Sequence, residues 1–179
     1  MIHRKRLLDA NDPQFSFAWE LYEASFPIEE RRSRDYHLES MTKGQFSAEV
    51  VFDDDNPIGI LFWWDLTNFR FIEHLATSPT VRGKGYGDKI LREFIAEGDK
   101  PIILEVEHPT EEINRRRIGF YERIGFVLND HSYRHPSYLQ IKDLFVDLMV
   151  MTYPNSITSN ELQLFQDIEF PIIHFRSYC

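Results

Sequence analysis

The chain has 179 residues, of which 42% are hydrophobic and 27% are charged, and its formal net charge is −9. This length fits one domain with a sizeable core, and no apolar run approaches the roughly 20 residues that span a bilayer. The negative balance argues against general nucleic-acid binding, because such binding needs a basic face that replaces phosphate counterions. It suits a cationic substrate, although many proteins are acidic only for solubility.

The cysteine content and the first residues of the chain indicate in which cellular compartment the protein is expected. The single cysteine, Cys179, allows neither an intrachain disulfide nor a paired-cysteine metal site. The basic residues that follow Met1 precede no apolar stretch of signal-peptide length. We therefore expect a cytoplasmic protein with no metal, no membrane partner and no nucleic-acid partner, and we leave a homodimer open.

Hydrophobic periodicity predicts alternating strands and helices. The predicted strands cover residues 2–8, 46–52, 58–66, 70–77, 102–107, 126–129 and 144–152. The predicted helices cover residues 15–26, 29–41, 85–97, 111–124 and 160–168. Asp12 is the expected cap of the first helix and Gly125 the stop of the fourth. The acidic run 53–55 reads as a hairpin turn, because it lacks the glycine and the final glutamate of a calcium loop.

This order of elements predicts an α/β fold, with a mixed sheet and helices on its faces. We expect a single domain over residues 1–179. Its core covers about 1–153, and a helical extension covers 154–179.

A glycine-rich turn, Arg82-Gly83-Lys84-Gly85-Tyr86-Gly87, stands between a predicted strand and a predicted helix. Glycines let the backbone approach a ligand, and the helix start adds a positive dipole end. The turn therefore suits a phosphate or pyrophosphate, while a plain helix entry is the alternative. The signatures of a nucleoside-triphosphate loop and of a dinucleotide fold both fail, since the glycine spacing and the required neighbours differ.

Two segments resemble one known family, the GCN5-related N-acetyltransferases. Residues 75–87 are similar to its motif A, Arg/Gln-x-x-Gly-x-Gly/Ala, whose fixed positions are occupied here by Arg82, Gly85 and Gly87. Residues 114–126 are similar to its motif B, with Asn114 seven residues before Tyr121 and Gly-Phe closing the helix. The resemblance covers about residues 1–153 and is specific in 70–126. It departs at Thr77, where the family usually has valine.

The resemblance implies a splayed central sheet flanked by helices, and direct transfer of acetyl from acetyl-CoA to a primary amine of a small molecule or peptide. No covalent acetyl-enzyme is expected. An acyl-CoA-binding sensor or structural module without turnover is the alternative. The implied cofactor-binding residues are Leu75, Ala76, Thr77, Arg82, Gly83, Lys84, Gly85, Tyr86, Gly87, Asn114 and Arg117.

Two proton-transfer roles follow from this chemistry. The resemblance implies that Tyr121 protonates the departing thiolate; a plain core tyrosine is the alternative. Glu73 is the expected general base, acting through a water, because strand alternation puts it on one face with Phe71, Leu75 and Thr77. Burial there is expected to raise its pKa. A solvated or arginine-paired glutamate is the alternative.

The acceptor side is less defined. Glu105 and Glu107 share one face of their strand and would suit a cationic amine, although simple surface exposure explains them equally. His108 is a second choice of base, and His74, expected on the face opposite Glu73, ranks lower. Residues 25–41 are expected to complete the acceptor walls. The identity of the amine does not follow from these residues.

Overall fold

A computed structural model describes residues 1–141 and 143–176. The strands are β1 (Ile2–Arg6), β2 (Phe46–Asp53), β3 (Asn56–Asp65), β4 (Arg70–Thr77), β5 (Ile102–Val106), β6 (Val127–Asn129), β7 (Arg134–Pro136), β8 (Phe145–Asp147) and β9 (Met149–Tyr153). The α-helices are α1 (Phe15–Ser25), α2 (Arg34–Met41), α3 (Tyr86–Ala96), α4 (Glu112–Ile124), α5 (Ser159–Leu164) and α6 (Phe170–Ile173).

Seven strands form one sheet in the order β1-β2-β3-β4-β5-β9-β6. All of its pairs are antiparallel except β4 with β5. The mixed α/β architecture is therefore confirmed. The first hairpin turns tightly between Asp53 and Asn56, as the acidic run predicted.

The sheet opens between its two central strands. The parallel ladder joins only Arg70–Ile72 of β4 to Ile102–Leu104 of β5. Beyond this point the rest of β4 stays paired with β3 but leaves its other edge without a ladder partner among the described strands. An unpaired edge offers backbone N–H and C=O groups to a ligand. The splayed sheet implied by the resemblance is thus present.

A β-bulge interrupts β4 at Glu73. Phe62 pairs with His74 and Trp63 pairs with Ile72, so Glu73 has no opposite residue on β3. The extra residue reverses the alternation of side chains. Phe71 and Ala76 consequently pack in one core, whereas Ile72 and Leu75 pack in the other. The expected common face of Phe71, Glu73, Leu75 and Thr77 is therefore wrong.

The two cores lie on opposite faces of the sheet. The first is rich in aromatic side chains and joins the sheet to α1, α2 and the C-terminal helices. The second joins it to α3 and α4 through aliphatic residues such as Ile90, Leu91 and Ile118. Helices thus cover both faces, and each face carries a different part of the chain.

Several boundaries differ from the predicted ones for identifiable reasons. Gln14, not Asp12, immediately precedes α1. The Asp12 carboxylate instead accepts the backbone N–H of Gln14 at 3.0 Å, in the turn before the helix. The second predicted helix breaks into a 3₁₀ turn, Ile28–Glu30, and α2, whose start is capped by Ser33.

The C-terminal third contains elements that periodicity missed. The predicted strand 144–152 divides into β8 and β9, and β8 pairs with β7 as a separate hairpin. The predicted helix 160–168 becomes α5, a π turn (Phe165–Glu169) and then α6. Cys179 lies outside the described residues. None of the described helices combines the length and the apolar character needed to cross a membrane.

Candidate active site

Two hollows meet along the free half of β4. The larger is a cleft of about 850 Å³ between β4, α4, the 3₁₀ turn Ile28–Glu30 and the β7–β8 region. The smaller, of about 480 Å³, lies at the glycine-rich turn. Leu75, Ala76, Thr77 and Tyr121 border both. Both volumes are in the range of small-molecule sites. Because the two hollows adjoin, the end of a ligand bound in one would lie against a ligand bound in the other.

The glycine-rich turn has the backbone of an anion site. Gly83 and Gly85 adopt φ of 78° and 80°, in the left-handed region that glycine tolerates best. Gly85 precedes α3, whose first backbone bond runs from Lys89 N to Gly85 O at 3.2 Å. The N–H groups of the first turn therefore have no acceptor within the helix, and the positive end of its dipole faces the hollow. This arrangement fits the pyrophosphate of a coenzyme A.

The two charged residues of the turn lie on its surface, whereas the Tyr86 hydroxyl already has a hydrogen-bond partner. Arg82 and Lys84 are exposed, and Arg82 Nε donates to Thr77 O at 3.4 Å. The Tyr86 hydroxyl donates to Asp53 Oδ2 at 2.5 Å, which ties the start of α3 to the β2–β3 hairpin. Tyr86 therefore borders the smaller hollow while its polar atom holds the scaffold.

Asn114 and Arg117, both predicted to contact the cofactor, have different places. Asn114 is buried, and its amide donates to His108 O at 3.2 Å, which closes the loop between β5 and α4. Arg117 borders both hollows and forms an ion pair with Glu107. Arg117 can thus reach a ligand that spans the two hollows, whereas Asn114 shapes the loop.

Tyr121 lies where the hollows join. Its side chain is 9% exposed and packs edge-on against Phe120 and Phe126, with ring centroids at 5.1 and 5.7 Å. Burial raises the pKa of Tyr121, an effect that the charge of Arg117 partly offsets. The phenol therefore keeps its proton at neutral pH and is able to donate it.

Glu73 is enclosed by donors. Its Oε1 accepts Trp64 Nε1 at 3.1 Å and the Tyr138 hydroxyl at 2.5 Å, and its Oε2 forms an ion pair with Arg32. Burial alone would raise the pKa of Glu73. The charge of Arg32 and the bonds to His74 and Arg32 outweigh it and hold that pKa well below its usual range. The expected raised pKa is therefore wrong, because the neighbours stabilise the carboxylate.

His74 shares this side of the strand. Its Nε2 lies 2.9 Å from Glu30 O, and its ring packs against Tyr22 and Phe26. It was expected opposite Glu73, but the bulge turns both side chains towards the same core. Since a carbonyl only accepts, His74 Nε2 donates in this contact.

The tentative acceptor residues separate into two groups. Glu105 and Glu107 border the cleft, whereas His108 is exposed on the following loop. The Glu105 Oε1 atom accepts the Tyr133 hydroxyl and His135 Nδ1, the latter at 2.5 Å. Both carboxylates consequently already have partners, and the His108 carbonyl accepts the Asn114 amide and the Thr110 N–H.

Further side chains pack behind the cleft and reach it through Tyr138 and His135, which border it. Arg32 lies with its Cζ 4.3 Å from the centre of the Tyr138 ring, and its Nη2 donates to Ile173 O at 3.1 Å. The His174 ring, 4.5 Å from that of His135, extends this packing. Arg32 and Tyr138 come from loops, and α6 from the extension, so only tertiary contacts bring them together.

No cluster of three or more His, Cys, Asp or Glu side chains suited to a metal ion occurs within residues 1–141 and 143–176. The cleft is bordered by backbone groups of β4, by the buried phenols of Tyr121 and Tyr138, and by several carboxylates. Such a set can orient an acyl donor and move protons.

Comparison with known proteins agrees with this geometry. Residues 12–126 match the model of the family described as "Acetyltransferase (GNAT) family". The chain is 33% identical over 103 residues to the candidate acetyltransferase YjbC of Bacillus subtilis (strain 168). That match covers 56% of this chain and 52% of the relative, so the chain matches about half the length of this curated protein.

Solved structures resemble the fold over most of its length. A candidate GNAT-family acetyltransferase from Bacteroides thetaiotaomicron is 34% identical, with a TM-score of 0.88, and the match covers 96% of this chain and 97% of that one. Naa50 of Arabidopsis thaliana, solved with the bisubstrate analogue CoA-Ac-MVNAL, has a TM-score of 0.59 at 20% identity, over 87% and 99% of the two chains. The second likeness concerns the fold alone.

Proposed function

Because the chain belongs to the GNAT acetyltransferase family, we propose that it transfers the acetyl group of acetyl-CoA directly to a primary amine of a small molecule or peptide. One observation carries the proposal: the hollow at the glycine-rich turn and the larger cleft share the free edge of β4 and Tyr121. A donor bound in the first would present its thioester to an acceptor in the second. The whole chain, 1–179, would act as one domain, since the C-terminal helices pack in the core behind the cleft.

The glycine-rich turn would hold the pyrophosphate through its N–H groups, with Arg82 and Lys84 adding charge. The free edge of Leu75–Thr77 would pair with the pantetheine arm as an added strand does. One of its N–H groups would also stabilise the oxyanion of the tetrahedral intermediate. The Arabidopsis protein, which carries a CoA–peptide analogue in the same fold, supports a donor and an acceptor that meet end to end.

Tyr121 would protonate the departing thiolate. A phenol has a pKa of ~10 and a thiol one of ~8.5 in water. The raised pKa of Tyr121 makes complete transfer to the sulfur less favourable still, so the proton would be shared in the transition state. The position of Tyr121 between the hollows supports this role.

Glu73 suits a different role from the one predicted. A carboxylate with a lowered pKa and three donors is a weak proton acceptor. We propose that it fixes Arg32, Trp64 and Tyr138 behind the cleft, and that the base lies elsewhere. The cytoplasmic location and the absence of a nucleic-acid partner stay predictions.

Release of free thiol from acetyl-CoA tests the proposed activity. The assay would use spermidine, kanamycin, lysine and a short peptide with a free N-terminus as acceptors, with hydrolysis in the absence of acceptor as the background. Thiol release that depends on one of these amines, with the acetylated amine identified by mass spectrometry, is the expected result. Tight binding of coenzyme A without transfer to any amine would support the sensor instead.

A further inference from the structure

A short turn places one glutamate over the cleft. The 3₁₀ turn Ile28–Glu30 is fastened to the protein at two carbonyls: Glu30 O accepts His74 Nε2 at 2.9 Å, and Glu29 O accepts Ser137 Oγ at 3.1 Å. These bonds fix the turn against β4 on one side and the β7–β8 region on the other. The Glu30 side chain borders the cleft that Tyr121 also borders.

Glu30 differs from the other acidic side chains there. Glu73 is paired with Arg32, Glu107 is paired with Arg117, and Glu105 accepts two donors. The Glu30 carboxylate, in contrast, has no hydrogen bond or ion pair to any residue within 1–141 and 143–176. It is half-buried and keeps some contact with solvent. Among the cleft glutamates it is therefore the one whose oxygens are available to a ligand.

Its surroundings suit a group that exchanges protons. Burial, followed by the charges of Glu107 and Glu105, raises the pKa of Glu30 to about 7, against smaller opposing effects from Arg117 and His135. A general base works best when its pKa is near the operating pH. The groups facing Glu30 thus come from β5 and its following loop, from α4 and from β7, while His74 contacts only its backbone.

We propose that Glu30 is the general base of the acetyl transfer, taking a proton directly from the ammonium group of the acceptor; this assignment rests on the proposed function. The freed nitrogen lone pair forms the C–N bond, and the C–S bond then breaks. Tyr121 gives its proton to the sulfur and recovers one from the attached nitrogen. Glu30 releases the first proton to solvent, so each turnover yields amide, thiol and one proton.

Glu30→Gln tests this role, with Glu29→Gln as its control, because Glu29 belongs to the same turn and its side chain is exposed. The probe is whichever amine of the thiol-release panel the unaltered protein acetylates. At pH 7 we expect Glu30→Gln to lower kcat/KM by roughly 10²–10⁴-fold, the usual contribution of a general base. The loss should shrink as pH approaches the amine pKa, which is ~10.4 for a lysine side chain. Glu29→Gln should retain full activity.

A ¹³C titration of the glutamate carboxyl groups gives a second measurement that needs no acceptor. We expect one resonance to titrate near pH 7 and to be missing in Glu30→Gln. Acetylation by Glu30→Gln at the unaltered rate would overturn the role of Glu30 alone. A rise in KM with no change in kcat and no pH dependence would also overturn it, since Glu30 would then only bind the ammonium. If the unaltered protein acetylates no amine, the proposed function fails and the assignment of Glu30 fails with it.

Discussion

Arg32 and Glu73 form an ion pair inside the protein, with side chains that are 1% and 2% exposed. Arg32 lies between the 3₁₀ turn and α2, and Glu73 is the bulged residue of β4. The pair therefore connects the wall of the cleft to the central strand. Tyr138 completes it, since its hydroxyl donates to Glu73 and its ring lies under the Arg32 guanidinium.

Removing one partner of this pair should be costly. Glu73→Gln leaves the Arg32 charge buried without its counter-charge, and breaking such pairs costs ~3–5 kcal/mol. We expect a loss of that order in the free energy of unfolding measured in urea, against almost none for the exposed control Glu20→Gln. Any loss of turnover should be independent of pH. A loss that shrinks as pH rises would instead restore Glu73 as the base.

Tyr121→Phe separates the acid from the binding site. The substitution keeps the ring between Phe120 and Phe126 and removes only the proton donor. We expect kcat to fall by roughly 10²–10⁴-fold, while the Kd for coenzyme A measured by calorimetry stays nearly constant. Arg117→Lys changes a charged residue that borders the same hollows. It should weaken the binding of coenzyme A and leave kcat nearly constant. An unaffected kcat in Tyr121→Phe would remove this residue as the acid.

The donor half of the site could be predicted because it is contiguous in the chain. The turn 82–87 follows β4 and Tyr121 lies within α4, and the hydrophobic period of each element is readable locally. The bulge at Glu73 was not predictable, since one extra residue leaves the composition of a strand unchanged while reversing its faces.

The acceptor half is assembled from distant parts of the chain. Glu73 and Tyr138 are separated by 65 residues, and Arg32 and Ile173 by 141. Glu30 belongs to the region 25–41 that was expected in the acceptor walls, but the predicted helix 29–41 singled out no residue of it. Its place in the cleft depends on the break between the 3₁₀ turn and α2, and on carbonyl contacts to His74 and Ser137.

Glu30 should destabilise the protein at neutral pH. Its pKa is raised to about 7 in the folded state, against ~4.3 in an unfolded chain. Glu30 therefore leaves the free energy of unfolding undiminished below pH ~4.3 and lowers it as pH rises through 7, because its carboxyl group ionises more readily in the unfolded state. We expect Glu30→Gln to raise the thermal midpoint at pH 8 and to leave it unchanged at pH 4. If Glu30→Gln and the unaltered protein had equal thermal midpoints at pH 8 as well as at pH 4, the raised pKa would be contradicted.

The glycine-rich turn depends on the backbone conformation of Gly85. Its φ is +80°, and a Cβ built there meets no atom within 4 Å, so the penalty for Gly85→Ala is conformational. We expect a stability loss of ~1–2 kcal/mol and weaker coenzyme A binding in calorimetry. Gly44→Ala is the matched control, since its Cβ also meets nothing within 4 Å and its φ is not positive. Equal effects of the two substitutions would show that the turn needs no left-handed residue.

The C-terminal helices should be indispensable to the cleft. Phe165 is fully buried, with ring centroids 5.8 Å from those of Phe69 and Phe71. Phe165→Ala should cost ~3–5 kcal/mol in urea unfolding, whereas the neighbouring Leu164→Ala, 44% exposed, should cost less than ~0.5 kcal/mol. Phe165→Ala should also raise the KM for the acceptor. Ile173 follows Phe165 in the same helical segment, and its carbonyl accepts the bond that holds Arg32 behind the cleft. A stable Phe165→Ala protein with unchanged KM would separate this segment from the acceptor wall.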